Sequence, residues 1–380
     1  MKRLSFLTAP VLSLLVLACG PNPPPESAAT AAAVAPTVTA PPEPPVETAK
    51  TAEPTPEEKK KAEALKALEK DRAKMKADDE AEKARWTPEL KAVAKALAEK
   101  SFASGKEAIK AAASSKARKP ANAERDKYRH PVETLEFFGF KPTMTVLEYG
   151  PGEGWYTELL APAVAKKGKL VATNGDPNGP ADERSTFYAE RFKLFLDRAP
   201  ELYGKVETVT IDNKAPDVGH EGTVDLALIM RGLHGMVNAG KLDEWLATIH
   251  KSLKPNGVLG IEEHRAPENA DPIESSKKGY LPEKWVIEKI EAAGYKLGGK
   301  SEINANSKDT KDYPDGVWTL PPTLKLGDKD REKYTAIGES DRMTLKFVKV
   351  APKAAAAAPA KPGSADAKPA AAAPAKPAKK

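Results

Sequence analysis

Cysteine is almost absent from this sequence, since Cys19 is the only one among 380 residues. One thiol cannot form an internal disulfide, and no other cysteine is left for a thiolate metal site or for thiol catalysis. A strong charge of one sign is also lacking, because 60 Lys and Arg residues nearly balance 54 Asp and Glu residues. No basic stripe carries stacking aromatic residues, and we therefore predict no nucleic-acid partner.

A long apolar run is missing from the N-terminus. The apolar stretch from Leu4 to Leu17 is shorter than the roughly 20 residues that a membrane-spanning helix needs. Lys2 and Arg3 precede it and small residues end it at Cys19, which is typical of a cleaved targeting segment, residues 1–19. The segment resembles a bacterial lipoprotein signal, in which the cysteine becomes the lipid-modified N-terminus. An ordinary signal peptide with an incidental cysteine is the alternative.

We predict that the membrane is a partner of this protein and that the lipid anchor on Cys19 attaches the chain to it. By the general sorting rules of bacterial lipoproteins, Gly20 after the cysteine favours the outer membrane. Several acyl chains at about 0.8 kcal/mol per buried methylene make a durable anchor. The expected location is therefore the outer membrane, with the chain facing the periplasm.

Composition divides the remainder into four segments. Residues 20–56 are dominated by Pro, Ala, Thr and Glu and are predicted to be a disordered tether, because they cannot offset their ordering entropy by burial. Residues 57–118 are a charged helical segment, and residues 121–350 have the aromatic, glycine and β-branched content of a globular domain. Residues 351–380 return to Ala, Pro and Lys and predict a disordered tail.

The charged segment contains two helix starts. Thr55-Pro56-Glu57-Glu58 forms a capping box with proline at the first helical position. Few large apolar residues follow (Leu65, Leu68, Met75), which predicts a solvated helix or spacer, with a coiled-coil or partner helix as the alternative. A second start at Thr87 leads into a narrow apolar face, which we expect to dock on the domain that follows.

Strands and helices alternate within the globular segment, and this order predicts a parallel sheet covered by helices on both faces. The clearest helix is 241–253, where the turn Lys254-Pro255-Asn256-Gly257 is expected to stop it. The predicted strands are 144–149, 169–173, 206–212, 223–230, 257–263, 295–302 and 342–350.

The stretch EYGPGEGWYTELLAP, residues 148–162, follows the first predicted strand and begins a helix. Ligands of open α/β sheets bind beyond the carboxyl ends of the strands. Gly150, Gly152 and Gly154 allow backbone N–H groups to approach such a ligand closely. The dinucleotide pattern G-x-G-x-x-G is not met, because Trp155 stands where its third glycine belongs. A tight strand-to-helix turn without a ligand is the alternative.

The run E-x-G-x-G-x-G instead resembles the first motif of class I S-adenosylmethionine (SAM)-dependent methyltransferases. Three longer stretches resemble a family of exported bacterial proteins described as predicted methyltransferases. The likeness covers residues 121–350, and it implies a Rossmann-like class I fold with a seven-stranded, mostly parallel sheet and SAM as cofactor. The stretches are YRHPVETLEFFGFKPTMTVLEYGPGEGWYTELLAP, LKPNGVLGIEEHRA and SEINANSKDTKDYPDGVWTLPPTLKLGDKDREKYTAIGESDRMTLKFVKV.

The resemblance also implies cofactor-binding roles for single residues. Glu148 is expected to hold the amino group of SAM, directly or through water, while the glycine loop accommodates its amino-acid end. Asn174 falls near the place where an acid normally binds the ribose hydroxyls, and it offers an amide without charge. Asp212 is the candidate for the adenine amine, with an ordinary turn acid at a strand end as the alternative.

The methyl acceptor is expected beyond the fourth and fifth strands. His234 follows the fourth strand, while Glu263 and His264 follow the fifth, and these three are the candidate catalytic residues. Three roles remain open for these residues, namely a base, a metal site or a purely structural polar cluster. We assign no metal ligand among them. The 39-residue connection 303–341 includes Tyr313 and Trp318, which are candidates to wall the acceptor, unless the connection only packs on the sheet edge.

Two hypotheses of function follow. The first is a lipid-anchored, SAM-dependent methyltransferase acting on a small molecule or on a component of the cell envelope. The second is a non-catalytic binding or scaffold module that retains a SAM-type pocket, and a different reaction that uses the histidines is a further possibility. The uncharged Asn174 favours the second hypothesis, whereas the complete glycine loop favours the first.

Overall fold

The computed structural model describes residues 55–212 and 214–350. The predicted signal segment with Cys19, the tether as far as residue 54 and the tail 351–380 lie outside the described residues. No helix in the described part of the chain is sufficiently long and apolar to cross a bilayer.

Seven strands form one sheet in the described part of the chain, and each corresponds to a predicted strand. Alternating runs of β-branched and other apolar residues, separated by helical segments, therefore predicted the sheet correctly. The strands are β1 (Thr145–Tyr149), β2 (Lys169–Asn174), β3 (Glu207–Thr210), β4 (Val224–Met230), β5 (Leu253–His264), β6 (Tyr295–Ser301) and β7 (Arg342–Lys349).

The order across the sheet is β3-β2-β1-β4-β5-β7-β6. Strands β1 to β5 run parallel, and β7 is antiparallel to both of its neighbours, β5 and β6. The chain builds outward from β1 to β3 and then returns to place β4 on the other side of β1. The carboxyl ends of β1 and β4 thus border the switch point at which ligands bind in open α/β sheets.

Helices precede the sheet and cover it. The described helices are α1 (Pro56–Arg85), α2 (Pro88–Glu99), α3 (Gly105–Ala113), α4 (Pro120–Ala123), α5 (Asp126–Arg129), α6 (Pro131–Phe138), α7 (Thr157–Val164), α8 (Arg184–Asp197), α9 (Pro200–Tyr203), α10 (Leu233–Asn238), α11 (Leu242–Ser252), α12 (Pro272–Ser276), α13 (Glu283–Ala292) and α14 (Arg331–Ile337). A 3-10 turn covers Gly316–Thr319. The predicted helix 241–253 corresponds to α11, but Leu253 already opens β5, so the expected turn at Lys254 lies within that strand.

The charged helix α1 begins at the predicted capping box, where the Thr55 hydroxyl and the Glu58 carboxylate bond each other's backbone N–H groups. The prediction of a solvated helix was incomplete. Leu68 and Met75 are buried against Phe187 of α8, and Arg198 Nε lies 3.1 Å from Asp79 Oδ1. The thin apolar face is sufficient to dock α1 on α8 because ion pairs flank it.

The second helix docks as expected. Ala94 of α2 and Ile109 of α3 are fully buried in the same cluster as Leu159 of α7. Thr87 caps α2 by accepting a hydrogen bond from the backbone N–H of Leu90 at 3.3 Å. Helices α2 and α3 are therefore part of the core that supports the sheet, so the folded unit is larger than residues 121–350.

The long connection 303–341 is not structureless. It contains the 3-10 turn and α14, and Tyr313, Leu320 and Tyr334 pack together in a small apolar cluster of their own. Tyr313 packs inside the connection and does not face the acceptor side. Of the two predicted wall residues, only Trp318 is left as a candidate to wall the acceptor.

Replacing Leu68 by Asp should release α1 from α8. Loss of the leucine contact removes about 1.5–3 kcal/mol of apolar burial, and a carboxylate beside Phe187 opposes docking further. We expect faster tryptic cleavage within residues 56–85 and an unchanged thermal midpoint of the sheet. Ala67→Asp on the exposed side of α1 is the matched control and should keep the wild-type cleavage rate. Equal protection of both variants would show that the Leu68 contact does not hold the helix.

Candidate functional site

The glycine loop between β1 and α7 has left-handed backbone at all three glycines, with φ of 54° at Gly150, 61° at Gly152 and 78° at Gly154. Only glycine adopts this conformation readily. A Cβ atom at Gly150 or Gly152 would meet no atom within 4 Å, whereas one at Gly154 would lie 2.6 Å from the Phe195 ring. The first two glycines thus border open space, and the third lets the loop pack against α8.

Glu148 lies at the base of this loop with its carboxylate buried. The Thr157 hydroxyl donates a hydrogen bond of 2.8 Å to its Oε2 atom. Burial raises the pKa of the Glu148 carboxyl to about 7, although the Thr157 hydrogen bond and the charge of Arg231 act in the opposite direction. A cationic or hydrogen-bond-donating partner would therefore stabilise the charged form of Glu148.

The tip of β2 carries an unsatisfied amide. Asn174 accepts a hydrogen bond from the Gly175 backbone N–H at 2.9 Å through Oδ1, while its buried Nδ2 has no partner within the described residues. A buried donor without an acceptor is costly, so this group is suited to a hydroxyl ligand. Asp212 lies two residues beyond β3, is exposed, and accepts a hydrogen bond from the Lys214 backbone N–H.

Trp155 anchors the loop from behind, a role that the sequence did not reveal. The indole is buried and donates a hydrogen bond of 3.0 Å to the Asn122 carbonyl oxygen. The guanidinium groups of Arg118 and Arg129 lie 4.9 and 4.6 Å from the centre of its ring. The residue that breaks the dinucleotide pattern therefore ties the loop to the helices before β1.

A buried ionic network links the loop to the ends of β4 and β5. Glu262 is fully buried and accepts hydrogen bonds from the Tyr156 hydroxyl at 2.8 Å and from Arg231 Nη1 at 3.1 Å. Arg342 Nε of β7 lies 2.5 Å from its other oxygen. Arg231 itself has φ of 59°, and its backbone N–H donates to the Glu262 carbonyl oxygen at 2.6 Å.

The network continues into the helices before β1. Glu339 is buried and bonds Arg125 Nε at 2.8 Å, Arg129 Nε at 3.0 Å and Arg342 Nη1 at 3.2 Å. Four guanidinium groups therefore surround the two carboxylates of Glu262 and Glu339. The net charge of this network is positive, which favours an anionic group nearby.

The three candidate catalytic residues lie together at the ends of β4 and β5. His234 Nδ1 is 3.0 Å from Glu263 Oε1, and the rings of His234 and His264 are 5.7 Å apart. Burial lowers the pKa of His234, but the Glu263 carboxylate more than offsets this, and the pKa is raised overall. Burial and then the charge of His234 hold the pKa of His264 well below its usual range. The two histidines are thus biased toward opposite protonation states.

Aromatic rings wall this cluster. The Trp318 ring of the 303–341 connection meets His234 edge-on at 6.0 Å, and the Tyr280 ring lies 6.2 Å from that of His264. The Ser340 hydroxyl is 2.5 Å from His264 Nδ1. Tyr280 and Ser340 were not predicted, because they come from segments far apart in the sequence.

Residues 122–285 match the model of a family of methyltransferase domains. Over these residues the chain is similar to methyltransferase domains. The observed strand order, with its antiparallel β7, is the Rossmann-like class I fold that was predicted for it. The family match also supports S-adenosyl-L-methionine as the cofactor of this domain. No curated protein matches the sequence.

Two solved structures illustrate what the chain is similar to at low sequence identity. A SAM-dependent methyltransferase from Aquifex aeolicus is 20% identical, with a TM-score of 0.40, over 61% of this chain and 94% of its own. A putative sarcosine dimethylglycine methyltransferase from Galdieria sulphuraria is 12% identical, with a TM-score of 0.42, over 60% of this chain and 88% of its own. Similarity at this level transfers neither a substrate nor a catalytic residue.

The glycine loop has room for the amino-acid end of the cofactor. The open space beside Gly150 and Gly152 leaves room for a ligand, and the unpaired Asn174 amide suits a ribose hydroxyl. The Glu148 carboxylate lies buried at the base of the loop. The roles of Glu148, the three glycines, Asn174 and Asp212 toward the cofactor remain predictions.

The other three of the five histidines lie outside the cluster. His130 joins α5 to α6 in left-handed conformation, with Nδ1 3.4 Å from Asn304 Oδ1. His220 pairs with Glu207 at 2.7 Å, and His250 Nε2 lies 3.1 Å from the Gly294 carbonyl oxygen. His220 and His250 are therefore each held by a specific partner.

Replacing Glu148 by Gln should flatten the pH dependence of stability. The pKa of Glu148 is raised from 4.5 to about 7 on folding, so the native state binds more protons than the unfolded state between these values. Its contribution is fully present below pH 4.5 and is lost as the pH rises through about 7, a difference of about 3 kcal/mol. Urea denaturation from pH 4.5 to 8 should show this decline in the wild type and not in Glu148→Gln.

Glu153→Gln is the control for that measurement. Glu153 lies on the same loop but is exposed and pairs with Arg191. The control should retain the wild-type dependence on pH. If Glu148→Gln retained it too, the buried carboxyl would not be the titrating group.

Proposed function

We propose that this protein is an exported lipoprotein whose domain transfers the methyl group of SAM to a small molecule or to a component of the cell envelope. The cofactor is proposed to bind across β1 and β2, and the acceptor to bind beyond β4 and β5. The observation that carries the proposal is the loop at the end of β1, where two left-handed glycines border open space above a buried carboxylate. The family match over residues 122–285 supports methyl transfer, but neither the acceptor nor the lipid anchor.

The cofactor side uses groups that are already in place. Glu148 holds the amino group of SAM, the N–H groups of the glycine loop bond its amino-acid end, and Asn174 bonds a ribose hydroxyl. Because the nearby arginine network is positive, the carboxylate of the cofactor is also favoured on this side.

The acceptor side has to align a nucleophile and remove its proton. When bound, SAM supplies an electrophilic methyl group, and the displacement needs the acceptor in line with it. Glu263 orients the His234 imidazole by accepting from Nδ1, which leaves Nε2 to take the proton of the acceptor. Trp318 beside His234 would pack against an apolar or aromatic part of that molecule.

The location follows from the targeting segment alone. Lys2, Arg3 and the apolar stretch that ends at Cys19 support export and lipid attachment, and Gly20 supports the outer membrane. At this location SAM would have to be supplied from the cytoplasm, where it is made. A non-catalytic module that binds a SAM-type ligand is therefore the second candidate, and the uncharged Asn174 at the tip of β2 favours it.

Gly152→Arg should abolish SAM binding and leave the fold intact. Titration calorimetry of the full chain is expected to give a dissociation constant of the order of micromolar for SAM and for S-adenosylhomocysteine, weakened at least about 100-fold in the variant. The full chain is needed because α2 and α3 belong to the core.

Gly222→Arg provides a matched control. Gly222 has φ of 62°, and a Cβ atom there meets nothing within 4 Å, yet it precedes β4 at the opposite end of the sheet. The backbone strain is thus equal in the two variants, and only Gly152→Arg should lose the cofactor. Equal binding by both variants would contradict a cofactor site in the loop.

His234→Gln should separate catalysis from binding. Loss of a general base costs about 10²–10⁴ in rate, while the cofactor residues are untouched. The full chain, incubated with methyl-labelled SAM and an envelope extract, should label an acceptor, and the variant should label it more slowly with unchanged SAM affinity. SAM binding without any labelled acceptor would favour the binding module.

A further inference from the structure

Three side chains that commonly bind metals meet at the carboxyl ends of β4 and β5. One donor atom from each of His234, Glu263 and His264 lies within 4.8 Å of the other two. We propose that these residues form a binding site for a single divalent transition-metal ion, zinc or iron(II). The proposal does not depend on methyl transfer, since it concerns the binding of an ion.

The donor set decides the class of ion. Two imidazole nitrogens with one carboxylate oxygen are the protein ligands of many zinc sites that keep an open position and of iron(II) sites. Calcium and magnesium prefer oxygen ligands. The only cysteine, Cys19, belongs to the targeting segment, which leaves nitrogen and oxygen as the donors available to the domain.

The spacing of the donors is close to what an ion requires. Ligand atoms about 2.0–2.2 Å from a tetrahedral zinc ion lie roughly 3.3 Å from one another. His234 Nδ1 and Glu263 Oε1 are 3.0 Å apart, so this edge of the coordination shell is nearly formed. An ion bound to Nδ1 would leave the proton of the neutral His234 imidazole on Nε2, so that a loaded site excludes His234 as the general base. His264 would complete the set by a side-chain movement.

The surroundings hold the ligands in place. Glu263 is fully buried, and its carboxylate accepts hydrogen bonds from the backbone N–H groups of His234 and His264 at 3.2 and 2.9 Å. The Ser340 hydroxyl fixes the His264 ring through Nδ1. Outer partners of this kind orient metal ligands in proteins.

The local charges leave Glu263 available to a cation. The adjacent carboxylate, Glu262, already compensates Arg231 and Arg342, whose guanidinium groups approach it at 3.1 and 2.5 Å. Glu263 forms an ion pair with a histidine only if His234 is protonated. A divalent ion would compensate Glu263 in place of a protonated His234 and would keep one or two positions for a molecule bound beside Trp318.

The test is calorimetric titration of the metal-free, untagged full chain with Zn²⁺, repeated in two buffers that differ in ionisation enthalpy. We expect one equivalent of zinc to bind to the wild type, with the same stoichiometry in both buffers. His234→Ala, Glu263→Gln and His264→Ala should each weaken binding by more than the roughly 10–100-fold that loss of an outer partner costs. Ser340→Ala should fall within that smaller range.

His220→Asn is the matched control, since His220 also pairs with a carboxylate but lies outside the cluster. It should bind zinc like the wild type. Because a ligand variant can unfold, X-ray absorption at the zinc edge of the loaded wild type gives a second measurement, with two imidazoles and only nitrogen and oxygen donors expected.

Absence of stoichiometric binding, a sulfur donor, fewer than two imidazoles, or unchanged affinity in folded ligand variants would overturn the site. Binding of magnesium in place of zinc would overturn the assigned class of ion. A SAM titration that fails while zinc binds would reject the proposed function and leave the metal site standing.

Discussion

The buried carboxylate of Glu262 is the constraint on which the site depends. Burial of an ion is expensive unless it is paired, and removal of one partner leaves the other uncompensated. Glu262 meets Arg231 after β4, Arg342 on β7 and Tyr156 after the glycine loop. The Glu262 carboxylate therefore holds these elements together, because no single element can compensate its charge and satisfy its hydrogen bonds.

This arrangement places two kinds of chemistry side by side. The glycine loop and Glu148 form a polar, open end beside β1, and the His234–Glu263 pair forms a walled corner beside β5. Arg231 lies between them and approaches both Glu148 and Glu262. The proposed function uses both regions, with the amino-acid end of the cofactor at the loop and its reactive centre toward the histidines.

Most of the fold was predictable because local patterns determine it. Alternation with helical segments marked all seven strands, the capping box marked the start of α1, and Thr87-Pro88 marked the start of α2. The glycine loop was recognised because left-handed backbone restricts the residue type. The docking of α1 was missed because two buried side chains, Leu68 and Met75, give too weak a periodic signal over 30 residues.

The sequence by itself determined the order of strands and helices along the chain. It also determined the glycine loop with Glu148 and the presence of His234, Glu263 and His264 at strand ends. Only the tertiary structure decided which of them meet and what surrounds them. Ser340, Tyr280 and Trp318 reach the histidines, and Arg342 reaches Glu262, from segments that are remote along the chain. Contacts of this kind depend on the packing of the 303–341 connection and on the pairing of β7 with β5, and neither leaves a periodic trace in the sequence.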